Sequence, residues 1–381
     1  MIIPQLMKKI FFLLAATLMF AGAASAQELQ NFQNGGRQRI VSPEISDGQV
    51  TFRLAADYAT VVTLSGNWIT ERGGIPMTKE NGVWSVTIDL PSPDIYTYNF
   101  VVDGVNVNDP QNYMVQRDGT RYLNMLMVPG DLTANYFEAN QRGTVTYRWY
   151  DSAILGINRR LTVYTPYGYE KNTKQKYPVL YLLHGAGGDE EAWTSMGRTA
   201  QILDNLIEQG KAVPMIVVMP NGNPGQQAAV TLGLPESGRN FRDPSLANAY
   251  VRSLCEEIVP FIEKEFRVVA KPASRAIAGL SMGGGHTITA STLYPEMFDY
   301  ICPLSAAGSA NDEQIQTLKK AGVKLYFLAC GTSDFLYEGS QTLDATLTKN
   351  GLDHIFFQSE GGHTWSNWRI YLNNFAPLLF K

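Results

Sequence analysis

Cysteine and histidine are scarce in this chain, three and four among 381 residues. None of Cys255, Cys302 and Cys330 stands at metal-ligand spacing, and an odd number cannot all pair within one chain. Each falls in an apolar helix or strand pattern, so all three read as small buried hydrophobes, and no metal or cofactor is expected. Charge is sparse as well. Charged residues make up 17% of the chain and the net charge is −4, which gives no electrostatic reason to bind nucleic acid or anionic lipid. The longest apolar run, from Ile10 to about Ala21, is short of the ~20 residues that span a bilayer, and no membrane anchor is evident. Repeats and low-complexity tracts are lacking too. What remains is 45% hydrophobic, a globular composition with length for two domains.

The apolar run follows Lys8 and Lys9 and leads to Ala24-Ser25-Ala26. A basic start, an apolar middle and small residues at the end form a secretory signal peptide, expected to be cleaved after Ala26. That places the mature chain outside the cell or in the periplasm, with residues 27–45 as a polar leader.

Residues 46–128 alternate apolar and polar in short runs such as Val50 to Leu54, Val83 to Ile88 and Tyr96 to Val102. Turn signals separate them at Asp47-Gly48, Gly73-Gly74, Asn81-Gly82 and Asp103-Gly104. Period two with these breaks predicts a small β-sandwich. Its succession of Leu64-Ser65-Gly66-Asn67-Trp68, Gly82-Val83-Trp84, Tyr96-Thr97-Tyr98, Val102-Asp103-Gly104 and Asp109-Pro110 resembles the immunoglobulin-like carbohydrate-binding module of glycogen-branching enzymes and isoamylases. Such modules either bind glycan through exposed aromatics or brace a catalytic neighbour. Trp68 and Trp84 are the aromatics in question, and a sandwich this small favours packing them inside.

Residues 129–143 are rich in Gly, Asp, Asn and Gln and read as a linker. Residues 144–381 then alternate strand and helix, which predicts an α/β fold of the α/β-hydrolase kind: a mostly parallel sheet with helices on both faces. Strands are expected at 177–183, 215–219, 275–280, 300–304, 324–330 and 354–358, and a long helix at 245–266.

Gly279-Leu280-Ser281-Met282-Gly283 is a G-x-S-x-G sequence that follows an apolar strand and opens a helix. That context makes it a nucleophile elbow, with Ser281 as nucleophile. A serine needs a base, and the four histidines permit elimination. His184 sits at a strand end before Gly185, His286 is carried off along the helix, and His354 begins a strand. His363 lies in a Gly361-Gly362-His363 loop after the last strand and comes last in the chain, as the serine, acid, histidine order of this fold requires. Asp334 leaves the end of a strand and is the best third member, ahead of Asp344, Asp353 and Glu360. Met282 N–H and Ala186 N–H are the expected oxyanion donors, with Gly187 an alternative to Ala186.

The segments Leu182-Leu183-His184-Gly185, Met219-Pro220-Asn221-Gly222, Gly279 to Gly285, Gly331-Thr332-Ser333-Asp334 and Gly361-Gly362-His363-Thr364-Trp365 resemble the feruloyl esterase branch of the esterase D family. The resemblance assigns the triad to the same Ser281, Asp334 and His363. It further implies plant cell-wall substrates, ferulate or acetate on xylan or its oligosaccharides. Trp193 and Trp365 lie near the predicted site loops and are the expected substrate surface, with Trp368 a helix residue on the core. A feruloyl esterase is preferred, an acetyl xylan esterase comes next, and a siderophore-lactone esterase or a non-catalytic glycan-binding protein are the rival readings.

Overall fold

The computed structural model describes residues 40–381. The expected cleavage near Ala26 and most of the leader lie outside the described residues. Among the described residues no helix is long and apolar enough to cross a membrane.

Ten strands form the N-terminal sandwich: β1 Glu44–Ser46, β2 Gln49–Ala55, β3 Val62–Gly66, β4 Ile75–Pro76, β5 Thr78–Glu80, β6 Val83–Asp89, β7 Ile95–Val102, β8 Val105–Val107, β9 Val115–Asp118 and β10 Arg121–Met127. One sheet runs β1-β2-β6-β5 and the other β4-β3-β7-β10-β9, with β8 on β7. The Asp-Gly and Asn-Gly pairs make the tight turns. Asp47, Asn81 and Asp103 all have φ near +50° and are followed by glycines with φ above +75°, the geometry that suits right-twisted hairpins. Alternation then buries Val50, Phe52 and Leu54 of β2 against Leu64, Tyr98 and Phe100. Trp84 is buried and donates its Nε1–H to Ala56 O at 3.0 Å. Trp68 is partly buried and packs on Phe52 and Tyr96. Both tryptophans therefore serve the sandwich core.

The second unit is an eight-stranded sheet of β11 Thr144–Ser152, β12 Ile157–Thr165, β13 Val179–Leu183, β14 Ile216–Pro220, β15 Arg275–Leu280, β16 Tyr300–Leu304, β17 Leu325–Gly331 and β18 Ile355–Ser359. Their order is β11-β12-β14-β13-β15-β16-β17-β18. β11, β12 and β14 pair antiparallel, and the rest is parallel. Every residue of β13, β14 and β16 is buried, because helices cover both faces and each face carries its own apolar cluster.

One expectation needs correction. The single helix at 245–266 is instead Ala249–Ser253 and Val259–Glu265 joined by a π-helical stretch, Leu254–Ile258. Pro260 has no N–H to give and crowds the preceding turn, and the widened turn accommodates it. Residues 129–143, the expected linker, pack onto the fold at several points. Thr133 and Tyr136, in a 3-10 turn at Asp131–Tyr136, are 1% exposed, and Ala139 is buried as well. Gly, Asp and Asn composition hid three residues that anchor the segment.

The two units share packing. Ile95, Met125 and Met127 of the sandwich join one apolar cluster with Leu206, Met215 and Phe375 of the larger unit. Arg369, 2% exposed, reaches across to Asp94 at 2.9 Å.

Candidate active site

In a parallel sheet the loops beyond the carboxyl ends of the strands gather at one edge. Here those of β13, β15, β17 and β18 bring together Ala186, Ser281, Asp334 and His363.

Ser281 stands between β15 and the helix Met282–Leu293 with φ +54° and ψ −116°. A side chain at positive φ is strained, typically by about 1–3 kcal/mol, and persists only where its surroundings hold it. They do so here. Ser281 N–H donates to Leu304 O at 2.9 Å, and its carbonyl accepts from Gly285 and Ala307 at 3.0 and 3.1 Å. The flanking glycines are required by contact: a Cβ on Gly279 would stand 2.4 Å from Gly283 O, and one on Gly283 would stand 2.5 Å from His184 O.

Asp334 follows the end of β17 with its side chain fully buried. One carboxylate oxygen accepts Leu336 N–H at 2.9 Å, and His363 Nδ1 lies 2.9 Å from Oδ2 and 3.1 Å from Oδ1. The two loops are tied directly, since Ser333 N–H donates to Gly361 O and Asn367 holds Gly362 O, both at 2.9 Å. Of the other acids weighed, Asp344 bonds His354, and Asp353 and Glu360 are exposed without a hydrogen bond to His363.

His363 and Ser281 line one cavity of about 250 Å³. Among the described residues no hydrogen bond joins Ser281 Oγ to the imidazole. Such contacts are often long without substrate and close in the reacting complex. With Nδ1 engaged by Asp334, Nε2 is the nitrogen left for proton transfer.

The other histidines have other tasks. His184 is buried, accepts Gly222 N–H at Nε2 and faces Gly185 O through Nδ1, both at 2.7 Å, so it joins two loops. Burial holds its pKa below the ordinary value. His286 packs on Tyr250, and burial, helped by nearby His184, pushes it down to about 4.

Met282 is the first residue of its helix, where backbone amides lack intrahelical acceptors and the helix dipole is positive. Ala186 lines the cavity, and its N–H finds no acceptor among the described residues. The Gly187 amide is equally free, but Gly187 does not line the cavity.

The structure departs from the expected site at Trp193. It is 1% exposed and donates Nε1–H to Leu183 O at 2.9 Å, which leaves no face for substrate. It instead backs Trp365, edge to face at 5.2 Å. Trp365 does line the cavity, and so does Trp368, although Trp368 is also packed against its neighbours at 6% exposure. Trp368 meets His363 edge-on at 4.9 Å.

Two site residues were not anticipated. Phe335 is 76% exposed and lies 4.5 Å from the His363 ring; its place directly after Asp334 was the available signal. Asp118 of β9 lines the cavity from the sandwich, and no local motif marks it. All three cysteines are buried and free, with Cys255 raised to about 12 by burial.

Parts of the chain are similar to known proteins. Residues 152–324 match the family model described as putative esterase, and residues 50–133 match the glycogen recognition site of AMP-activated protein kinase. An endo-1,4-beta-xylanase/feruloyl esterase of Xylanibacter ruminicola is 34% identical over 88% of this chain and 45% of its own length, so the chain spans about half of that relative. Among solved structures, a ferulic acid esterase superposes with a TM-score of 0.52 at 26% identity, over 63% of this chain and 98% of the other. The enterobactin esterase of Shigella flexneri reaches 0.61 over 89% of this chain and 94% of its own, but at 17% identity, a likeness of fold. The esterase-family match thus falls on the α/β unit, and the match to a carbohydrate-recognition model falls on the sandwich before it.

Proposed function

We propose that this chain is an exported serine esterase that removes feruloyl groups from plant cell-wall xylan through an acyl-serine intermediate. The observation that carries the reading is the meeting of Ser281 and His363 in a small cavity walled by Trp365 and Trp368. Flat apolar walls suit a flat aromatic acyl group, and the volume suits one such group rather than a polymer. The xylanase and feruloyl esterase activities for which the Xylanibacter ruminicola relative is named support the same substrate class.

In the first half-reaction, His363 Nε2 takes the Ser281 proton as Oγ bonds to the ester carbonyl carbon. The oxyanion receives the N–H groups of Met282 and Ala186. Collapse breaks the bond to the alcohol oxygen, and that oxygen leaves with the proton from His363. In the second half, His363 deprotonates water, which attacks the acyl-serine and frees the acid and Ser281. Asp334 holds the imidazole tautomer and steadies its positive form.

The small cavity also favours one rival, an acetyl xylan esterase, since about 250 Å³ lies below the usual ~300–1,000 Å³ of ligand sites. Purified protein assayed on methyl ferulate and on acetylated xylan separates them. Turnover of methyl ferulate supports the proposal; release of acetate with methyl ferulate untouched replaces it with the acetyl reading. A cyclic catecholate ester belongs in the same assay, to test the siderophore alternative.

A further inference from the structure

The hairpin of β9 and β10 belongs to the sandwich, yet its tip lies against the catalytic loops. Successive strand residues face opposite sides, and Arg117 and Asp118 divide accordingly. Arg117 turns into the α/β domain at 7% exposure. Its guanidinium grips both carboxylate oxygens of Asp189 at 2.7 and 2.8 Å and reaches Glu191 at 3.0 Å. Its backbone N–H donates to Ser195 Oγ at 2.9 Å. Burial works against the guanidinium charge, but Asp189 and Glu191 more than offset it and raise its pKa. Asp189 directly follows the 185–188 loop that offers the Ala186 amide, and a Cβ on Gly119 would stand 3.7 Å from Gly187 O. The hairpin is thus clamped to the loop beside Ser281.

Asp118 faces the other way and lines the cavity that holds Ser281 and His363. Its side chain is 46% exposed, and among the described residues its ion pair is with Arg121, 71% exposed, at 3.4 Å. Solvent screens such a pair, so the carboxylate oxygens stay open to a ligand. Beside it the cavity is walled by Ala192, Met196, Leu280, Trp365 and Trp368, with Ser281, His363 and Thr364 as further polar lining. An ionised carboxylate is an acceptor only. On the cavity wall it favours hydroxyl donors and opposes anionic groups.

We propose that Asp118 is a substrate-recognition residue of the ester site, accepting a hydrogen bond from a hydroxyl of the ester's acyl or alcohol part, and that Arg117 is the positioning residue that sets Asp118 and the 185–188 loop in place. The proposal rests on the esterase reading of Ser281. It makes the sandwich a wall of the active site, beyond any role as a glycan anchor. The hydroxyl has two chemical sources, a phenol on the acyl group or a sugar on the alcohol. Methyl ferulate offers the phenol alone, methyl 3,4-dimethoxycinnamate offers neither, and a feruloyl arabinoside offers both.

The test compares the full chain with Asp118→Ala on these three esters. A charge-assisted hydrogen bond lost from a partly enclosed site corresponds to about a tenfold change. If the phenol is the donor, the variant's preference for methyl ferulate over the dimethoxy ester falls by about that factor; if the sugar is, its preference for the arabinoside over methyl ferulate falls instead. Either result supports the proposal, and in both the change is in KM more than kcat. Preferences within twofold of wild type for both pairs overturn it. Arg117→Lys keeps the charge and loses the fork, and with cooperative unfolding retained its kcat on methyl ferulate is expected to fall about fivefold through the displaced oxyanion donor. A kcat equal to wild type overturns the positioning role. A wild-type chain inert toward all three esters overturns the feruloyl esterase reading and this proposal with it, whereas an active wild type with unchanged preferences overturns the proposal alone.

Discussion

The chain contains two histidine–aspartate pairs of nearly equal length, His363 with Asp334 at 2.9 Å and His354 with Asp344 at 2.8 Å. They differ in which partner is hidden. Asp334 is fully buried while the His363 side chain keeps 20% exposure toward the cavity. In the other pair Asp344 is 36% exposed and His354 only 10%. A buried acid holding an accessible imidazole leaves one ring nitrogen free to work. The reverse arrangement ties a helix to a strand, with His354 Nδ1 also turned to Leu352 O at 2.8 Å. Proximity of the two groups is common to both; the direction in which the imidazole is offered separates a candidate base from a staple.

The comparison can be broken most severely at Ser281 and His363. Ser281→Ala or His363→Ala is expected to lower kcat by on the order of 10⁴-fold or more, measured on p-nitrophenyl acetate, because serine and base act as a unit. Asp334→Asn should cost about 10⁴-fold, since an amide cannot hold the working tautomer. Asp344→Asn is the matching control. Its kcat should stay within about twofold of wild type, with a stability loss of about 1 kcal/mol or less read by urea unfolding, as for a solvent-facing pair. Equal losses at Asp334 and Asp344 would remove the distinction drawn between the pairs.

A smaller effect comes from His286. Its pKa is about 4 in the folded chain against 6.5 ordinarily. The unfolded chain therefore binds the proton first, and stability falls as pH drops from about 6.5 to about 4, levelling below. The shift corresponds to roughly 3 kcal/mol at most. His286→Leu should flatten that part of the stability–pH curve, also relieving a buried Nδ1 that has no partner. An unchanged acid slope in the variant would assign the sensitivity to other groups.

Much of the architecture was legible because it rests on local rules. Asp-Gly and Asn-Gly turns marked the hairpins, and fully apolar runs marked β13 to β17. The antiparallel pair β11 and β12 was harder, since β11 lies at the sheet edge and exposes Val145, Tyr147 and Trp149, which blurs its alternation. The π-helical break near Pro260 and the anchoring of residues 129–143 were hidden for a related reason. Both depend on what lies beneath a segment, which composition does not report. Trp193 and Trp365 illustrate the limit at the site itself: each stands close to a glycine-bearing loop in the chain, but only Trp365 faces the cavity.

Chain order, the Gly279 to Gly283 elbow and the elimination of three histidines point to Ser281, Asp334 and His363 from sequence, because a nucleophile elbow and the carboxyl ends of parallel strands are fixed by backbone sterics that leave a pattern in the residues. Tertiary structure alone decided which aromatics wall the cavity and that a residue of the sandwich reaches it. Asp118 belongs to another domain and follows no motif; its place depends on how two sheets pack, and packing is a property of surfaces far apart in the chain.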